Sequence, residues 1–191
     1  IGQPMHAFDC KEIKDKTIIV RRAKKGETIV PLNEKEYALD ENILVIADKT
    51  RPVGLAGVMG GLNSGIKNDT SRVLFEAAEF NRENIRRTSR RLGLRSDSSA
   101  RFERGVDAFT ARLGLERALH LICRLNCGKV ASDTVECLAH VDDGREIAFD
   151  YSGVKNLLGI DIPQSVCKEI LENLGIKTDF DGQTIKCHAP A

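Results

Sequence analysis

One carboxylate, Glu76, lies inside a mostly apolar run, Val73-Leu-Phe-Glu-Ala-Ala-Glu-Phe80. The Val-Leu-Phe segment before it is typical of a buried strand, where an ionised carboxylate loses its hydration unless hydrogen-bond donors replace it. Two interpretations are open. Glu76 is either a polar anchor at the bottom of an apolar pocket, or an alternating residue that faces water while its neighbours face the core.

Three further segments accompany this run. Gly2-Gln-Pro-Met-His-Ala-Phe-Asp9 opens the chain, Leu55-Ala-Gly-Val-Met-Gly-Gly-Leu62 ends in paired glycines, and Arg101-Phe-Glu-Arg-Gly-Val-Asp107 follows a run of small hydroxyl residues. Together with Phe75-Glu-Ala-Ala78, these motifs and their order resemble the beta subunits of bacterial phenylalanyl-tRNA synthetases. The resemblance covers essentially the whole chain but only an internal piece of that longer subunit. Because the chain starts at Ile1 within a motif, we expect it to be an excised piece.

The strand pattern of the first half predicts an α+β fold with a mixed or antiparallel sheet, because no long helices separate the strands. β-Branched and apolar segments bounded by Gly, Pro, Asn or Asp predict strands at residues 17–22, 27–30, 37–39, 43–47, 55–59 and from Val73. The resemblance implies that residues 1–140 are a tRNA-editing domain, truncated at its N terminus, with helices flanking the sheet.

Two helices follow the Glu76 strand. Asn81 is a good N-cap for a helix that runs to Leu92 and ends at Gly93. The longest helix is expected at residues 107–125, and a strand at residues 129–138 is expected to close the domain. The side chains expected to pack the long helix are Phe109, Leu113, Leu119, Ile122 and Leu125.

The polar residues 140–145 are the predicted domain boundary. Ser152 is expected to cap a helix that ends at Gly159, and Pro163 is expected to begin a second helix through Leu174. Asp181-Gly182 then predicts a two-residue hairpin. Residues 146–191 resemble the family's small helix-turn-helix-like α+β domain, truncated at its C terminus. Four lysines against seven acidic residues favour a packing or docking module over nucleic-acid binding.

The resemblance implies proofreading, that is, hydrolysis of tyrosine mistakenly esterified to the tRNA for phenylalanine. An apolar pocket cannot strongly reject an analogue that only adds a hydroxyl, whereas a second pocket that hydrogen-bonds the hydroxyl can select it. Glu76 matches the family's glutamate in this strand. We expect it to accept the hydrogen bond from tyrosine, and a charged acceptor makes that bond stronger.

The resemblance also implies the other site residues. His6 matches the family's pocket histidine and is expected to orient the ester or the attacking water, with general-base action as a weaker alternative. Without the family match, a loop histidine bonded to backbone carbonyls is the simpler interpretation. Gly60 and Gly61 are expected to leave space and to offer backbone donors. Ser96 and Ser98 match pocket positions where relatives often carry Thr and Ala.

An arginine cluster follows the Glu76 strand. Residues 82–104 contain eight arginines against three acidic residues, a local net charge of +5. Such clusters supply phosphate contacts to nucleic acids. The expected tRNA contacts are Arg86, Arg87, Arg90 and Arg91, although a solvated helix face is an equal alternative. The alternative function is therefore a non-catalytic tRNA-positioning or subunit-assembly module of the same synthetase. A free-standing deacylase would have to be a complete chain.

No apolar run approaches the ~20 residues of a membrane span, and the six cysteines include no Cys-x-x-Cys pair. We expect a cytoplasmic protein with reduced core cysteines, no metal site, and no DNA or membrane partner. The resemblance implies the tRNA and the synthetase alpha subunit as partners in an alpha-beta heterotetramer. It also implies that ATP and magnesium serve the ligase activity of the parent enzyme, whereas this piece is at most an aminoacyl-tRNA ester hydrolase without cofactors.

Overall fold

A computed structural model describes residues 2–138 and 145–189 of the chain. The chain divides into two compact units, residues 1–132 and 133–191. The predicted domain boundary at residues 140–145 falls almost entirely on residues 139–144, which lie outside the described residues.

The described part of the first unit contains eight strands and three α-helices. The strands are β1 (Met5–Asp9), β2 (Ile19–Arg22), β3 (Thr28–Ile29), β4 (Tyr37–Ala38), β5 (Leu44–Ala47), β6 (Pro52–Leu55), β7 (Met59–Gly60) and β8 (Val73–Ala77). The helices are α1 (Arg82–Leu92), α2 (Asp97–Phe102) and α3 (Ala108–Arg124), and short 3-10 turns occupy Lys14–Lys16 and Leu62–Ser64.

All strand pairs of the first unit are antiparallel. One sheet has the order β2-β5-β6-β7, and two smaller sheets pair β3 with β4 and β1 with β8. The predicted α+β class is confirmed, and the expected single sheet is instead three sheets. The central strands β5 and β6 are almost wholly apolar and buried, as expected for strands covered on both faces.

The predicted strand at residues 55–59 is wrong, because the chain reverses within it. β6 ends at Leu55 and β7 begins at Met59, with a turn between them. Gly57 adopts φ +66°, a left-handed conformation that glycine reaches without a Cβ clash. A Cβ on Gly57 would lie 2.9 Å from both Phe80 Cδ2 and Ile85 Cδ1, so the turn also packs its backbone directly onto the core.

The ends of α1 are set by local hydrogen bonds, as predicted. The side chain of Asn81 accepts a hydrogen bond from the backbone N–H of Asn84 at 3.0 Å, and Gly93 ends the helix in the left-handed conformation. Ile85 and Ser89 face the core. α1 therefore has one buried face and one face open to solvent.

The predicted packing face of α3 is wrong in part, since Leu119 and Ile122 are partly buried but the other three predicted side chains are not. Phe109, Leu113 and Leu125 are exposed, whereas the buried positions are Ala111 and Gly114. A Cβ on Gly114 would lie 2.8 Å from Cβ of Gln3, so this helix packs through its small residues. Large apolar side chains could not fit there.

The strand predicted at residues 129–138 is also wrong, since these described residues form no strand. Val135 is 95% exposed, and the whole segment lies open to solvent. A β-rich composition stabilises a strand only where a neighbouring strand and a core are available to pack against.

The described part of the second unit consists of β9 (Arg145–Asp150), α4 (Ser152–Leu158), α5 (Gln164–Asn173), β10 (Lys177–Phe180) and β11 (Thr184–Ala189). The three strands form an antiparallel sheet in the order β10-β11-β9. The two predicted helices and the hairpin are confirmed, whereas β9 was not predicted.

Local details of the second unit differ from the predictions by one residue. Tyr151, not Ser152, is the N-cap of α4, and Pro163 is the N-cap of α5 rather than its first residue. In the hairpin, the carboxylate of Asp181 accepts hydrogen bonds from the backbone N–H groups of Gln183 and Thr184. The turn is therefore centred on Gly182 and Gln183.

Gly57→Ala tests whether the β6–β7 turn needs both a left-handed residue and a missing side chain. We expect it to lower the free energy of unfolding by roughly 1–3 kcal/mol more than Gly26→Ala, because overpacking adds to the cost of positive φ. Gly26 is a matched control, since its φ is +85° but no atom lies within 4 Å of a built Cβ. Denaturant unfolding of the two variants measures the difference. Equal losses would show that the packing of Gly57 is unimportant.

Candidate functional site

The antiparallel register of β1 and β8 brings His6 and Glu76 together. The two residues are 70 positions apart in the chain but directly opposite each other in the strand pair. Directly opposite side chains project from the same face with their Cβ atoms about 4.5–5.5 Å apart. Phe8, two residues along β1, also lies on this face, and its ring meets the His6 ring edge-on with centroids 4.5 Å apart.

His6 and Glu76 line a cavity of about 180 Å³ in the first unit. Its walls are mainly apolar, and residues that sequence reasoning did not assign to the site form most of them: Met5, Phe8, Ile46, Leu55, Val58 and Phe102. The cavity is smaller than the roughly 300–1,000 Å³ of typical ligand pockets, which suits a single small group. Alternation along β1 places Phe8 on the His6 side, but this signal was missed because no strand was predicted at residues 5–9.

Two larger cavities occur elsewhere in the described residues. One of about 390 Å³ lies in the second unit around Tyr151 and Lys155, and one of about 450 Å³ lies beside Cys10 and Arg72. Hydrogen bonds from Ser152 lower the pKa of Asp150 in the first of these cavities, and no carboxylate that the structure describes lines the second. The His6 and Glu76 cavity is distinguished by its chemistry rather than by its size.

Glu76 is a partly buried carboxyl group in the wall of this cavity. Burial away from water raises its pKa from an ordinary value of 4.5 to about 7. Desolvation is the only cause of this shift, and Glu76 has no hydrogen-bond or ion-pair partner among the described residues. A donor entering the cavity would therefore meet an unpaired acceptor.

The expectation of a buried Val-Leu-Phe strand before Glu76 is wrong in part. Val73 and Leu74 are each 38% exposed, and Phe75 is partly buried. β8 pairs with β1 alone, so its other edge has no neighbouring strand in the described structure. Within it, Glu76 lies at the point where the strand meets the cavity.

His6 is held in a desolvated position. Burial lowers the pKa of its imidazole, which is therefore neutral near neutral pH. Its Nε2 atom is buried without a hydrogen-bond partner in the described structure. The alternative of a loop histidine bonded to backbone carbonyls is not what is observed, since His6 lies within β1 and faces the cavity.

The two glycines have different surroundings. Gly60 lines the cavity, but the space that its Cβ would fill is already occupied by the His6 ring. Gly61 is not among the lining residues, and its N–H donates to the carbonyl oxygen of Val53 at 2.8 Å. That backbone donor is therefore already used.

The hydroxyl groups of Ser96 and Ser98 bind the turn between β6 and β7. Ser96 Oγ donates to the carbonyl oxygen of Val58 at 2.5 Å, and Ser98 Oγ donates to that of Gly57 at 3.2 Å. Only Ser98 lines the cavity, whereas Ser96 caps α2 by accepting from the N–H of Ser99. The two serines attach α2 to the cavity wall.

The four arginines expected to touch RNA are all exposed on α1, away from its buried face. Arg91 Nε forms an ion pair with Asp40 Oδ2 at 2.8 Å, and Arg87 Nε donates to the carbonyl oxygen of Glu83. None of the four lines the cavity. The structure thus separates a basic helix face from the cavity that contains Glu76.

Metal ligands, membrane-spanning helices and cysteines are the other features that bear on function in the part of the chain that the structure describes. It contains no group of three or more His, Cys, Asp or Glu residues placed to hold a metal ion. It also contains no helix long and apolar enough to cross a membrane. The expectation of core cysteines is wrong for Cys123, Cys127 and Cys137, which are exposed, whereas Cys167 and Cys187 are buried.

Comparisons with known proteins agree with one another. A family described as the B3/4 domain matches residues 1–127. The phenylalanine–tRNA ligase beta subunit of Clostridium tetani is 38% identical over 190 residues, which are 100% of this chain and 24% of that protein. That of Moorella thermoacetica is 43% identical over 182 residues, 95% of this chain and 23% of that protein. The chain thus spans about a quarter of the length of these relatives.

A solved structure is also similar. It is an N-terminal fragment of the phenylalanyl-tRNA synthetase beta subunit from Pyrococcus horikoshii, with 15% sequence identity and a TM-score of 0.45. The similarity covers 97% of this chain and 53% of that one.

Glu76→Gln tests the desolvation of the cavity carboxyl through the free energy of unfolding. Because the pKa is about 7 in the folded protein and 4.5 ordinarily, the folded state binds the proton more tightly, and stability falls as pH rises between these values. We expect the variant to match the wild type near pH 4 and to be more stable by at most about 3 kcal/mol near pH 8. Denaturant unfolding across this range measures the difference.

Glu79→Gln is the matched control, because Glu79 is exposed in the same segment. Its free energy of unfolding should follow the wild-type pH dependence. If Glu76→Gln follows it too, the carboxyl of Glu76 is not desolvated.

Proposed function

The chain belongs to the B3/4 domain family, and on that basis we propose that it proofreads for a phenylalanine–tRNA ligase as part of the beta subunit. The proposed reaction is hydrolysis of tyrosine that has been mistakenly esterified to the tRNA for phenylalanine. The observation that carries this proposal is the unpaired, desolvated carboxyl of Glu76 in a small apolar cavity beside His6.

The cavity chemistry supports selection of tyrosine. An apolar wall accepts the aromatic ring of either amino acid, so the ring cannot distinguish them. The phenol hydroxyl of tyrosine would donate to Glu76, whereas phenylalanine would leave that partly buried acceptor unpaired. In its ionised form the carboxylate is an especially strong acceptor, so one contact can provide most of the discrimination.

His6 supports the hydrolytic step. A neutral imidazole can accept a proton from water or donate a hydrogen bond to it, and His6 presents such a ring in the same cavity. Water attacks the ester carbonyl carbon, the bond to the ribose oxygen breaks, and tyrosine and the free ribose hydroxyl are released. Because an aminoacyl ester is already labile, orienting the water can be sufficient.

Family membership also suggests a proposal for the assembly in which this segment works. We propose that the segment works in a cytoplasmic alpha-beta heterotetramer, with the alpha subunit and tRNA as partners. ATP and magnesium would serve ligation in parts of the synthetase outside this chain.

A second role rests on the basic face of α1. Arg86, Arg87 and Arg90 are exposed and form no ion pair within the described residues. Their guanidinium groups are therefore available to phosphate, except that Nε of Arg87 donates to the carbonyl oxygen of Glu83. This face would position the tRNA. It would contribute affinity without distinguishing tyrosine from phenylalanine.

Glu76→Gln tests the proofreading function. We expect the wild type to hydrolyse tyrosyl-tRNA faster than phenylalanyl-tRNA, and the variant to lose most of this preference, because a neutral amide is a poorer acceptor of the phenol proton. Loss of a hydrogen bond to a charged group corresponds to roughly a 10- to 100-fold fall in kcat/KM for tyrosyl-tRNA. Deacylation rates of both substrates are measured with this chain and with the whole beta subunit.

Glu79→Gln provides the control, since its carboxyl group lies outside the cavity. It should keep the wild-type preference. A whole subunit that still prefers tyrosyl-tRNA after Glu76→Gln would rule out Glu76 as the discriminator.

Arg86→Gln combined with Arg90→Gln tests the tRNA-positioning role. We expect weaker binding of tyrosyl-tRNA and phenylalanyl-tRNA in equal proportion, and a salt-dependence slope reduced by about one per lost phosphate contact. Binding titrations at several salt concentrations measure both effects. Arg91→Gln should change the slope less, because Asp40 already neutralises this side chain. An unchanged slope in the double variant would exclude this face from the RNA contact.

A further inference from the structure

The backbone of β7 lies against the His6 ring at Gly60. A Cβ built on Gly60 would lie 2.9 Å from Nδ1 of His6, and closer still to Cε1 and Nε2. Real Cβ atoms essentially never approach another heavy atom within 3.0 Å. All three of these nearest atoms belong to His6, so this one ring occupies the space that a side chain at position 60 would need.

Backbone conformation does not explain the glycine at this position, because Gly60 is not among the residues with positive φ. Nor is close approach a general property of this strand pair. Gly54 is the direct partner of Gly60 in the register and lines the same cavity, but the atoms nearest to its built Cβ begin at 3.7 Å, an ordinary contact.

The His6 ring is positioned by packing rather than by hydrogen bonds. Phe8 meets it edge-on, and Glu76 lies opposite it on β8. Its Nε2 atom is buried and makes no hydrogen bond in the described structure. The location of the ring therefore depends on the residues packed around it. At Gly60, a single added methyl group would fill the space that the ring now occupies.

We propose that Gly60 is a positioning residue, whose missing β-carbon admits the His6 imidazole into the cavity wall beside Glu76. A contribution of Gly60 to the reaction rests on the proposed proofreading function. The role differs from the expectation that Gly60 makes room for substrate. Any side chain at position 60 would push the ring away by about 1 Å or more, and such a displacement can cost on the order of 10²-fold in rate.

A double-mutant cycle tests the proposal without any RNA. We expect Gly60→Ala to lower the midpoint of thermal unfolding, and His6→Ala to remove that effect, because the new methyl group then enters the space vacated by the ring. The double variant should therefore unfold at the same temperature as His6→Ala alone. If Gly60→Ala is too unstable to purify, rescue by His6→Ala gives the same information.

Titration of His6 by NMR provides a readout that a purely structural role would not change. Burial lowers the pKa of His6 in the wild type, so we expect this pKa to rise towards its ordinary value of 6.5 in Gly60→Ala. Gly54→Ala is the matched control and should leave the His6 titration as in the wild type. The proposal is wrong if Gly60→Ala is equally destabilising with and without His6, or if His6 titrates unchanged in the folded Gly60→Ala variant.

Steady-state kinetics of Gly60→Ala test whether this residue contributes to the reaction. We expect Gly60→Ala to lower kcat for tyrosyl-tRNA hydrolysis by about 10²-fold, without a matching rise in KM, and to add nothing to the loss caused by His6→Ala. If the wild type does not hydrolyse tyrosyl-tRNA, the proposed function fails while the stability cycle still reports the packing. If hydrolysis is present and Gly60→Ala leaves kcat unchanged, the positioning role fails and the function stands.

Discussion

The pairing of β1 with β8 is the constraint on which the candidate site depends. Its register places His6 opposite Glu76, with Phe8 on the same face, and so creates a mostly apolar cavity with two titratable groups in its wall. A shift by one residue would turn the shifted strand's side chains to the other face and separate the pair. The β6–β7 turn at Gly57 completes the cavity, and Ser96 and Ser98 hold that turn to α2 through the carbonyl oxygens of Val58 and Gly57.

Desolvation shifts the pKa values of the two titratable groups in opposite directions, but in both cases it favours the uncharged form. It raises the pKa of Glu76 to about 7 and lowers the pKa of His6, so both groups carry less charge near neutral pH than they would in water. Such a cavity favours binding of a ligand that combines an apolar body with a hydrogen-bond donor. A phenol hydroxyl on an aromatic ring meets that requirement, and a plain aromatic ring does not.

Features set by neighbouring residues could be predicted from the sequence, because capping and turn geometry are local. Asn81 and Gly93 fixed the ends of α1, and the Asp181 hairpin lies within one residue of its predicted position. Features set by tertiary packing could not be predicted in this way. The turn at Gly57 resembled a continuous strand, and α3 buries Ala111 and Gly114 while Phe109 and Leu113 are exposed. The sequence motifs indicated His6 and Glu76 separately, but only the strand register shows that they are neighbours.

Titration of the Glu76 carboxyl carbon by ¹³C NMR tests the central claim most directly. In the free chain its pKa should be about 7. Adding tyrosine methyl ester should lower this pKa, because a phenol donor stabilises the ionised carboxylate, whereas phenylalanine methyl ester should leave it unchanged. A pKa near the ordinary 4.5 in the free chain, or the same response to both esters, would contradict the assignment of Glu76 as a desolvated acceptor for tyrosine.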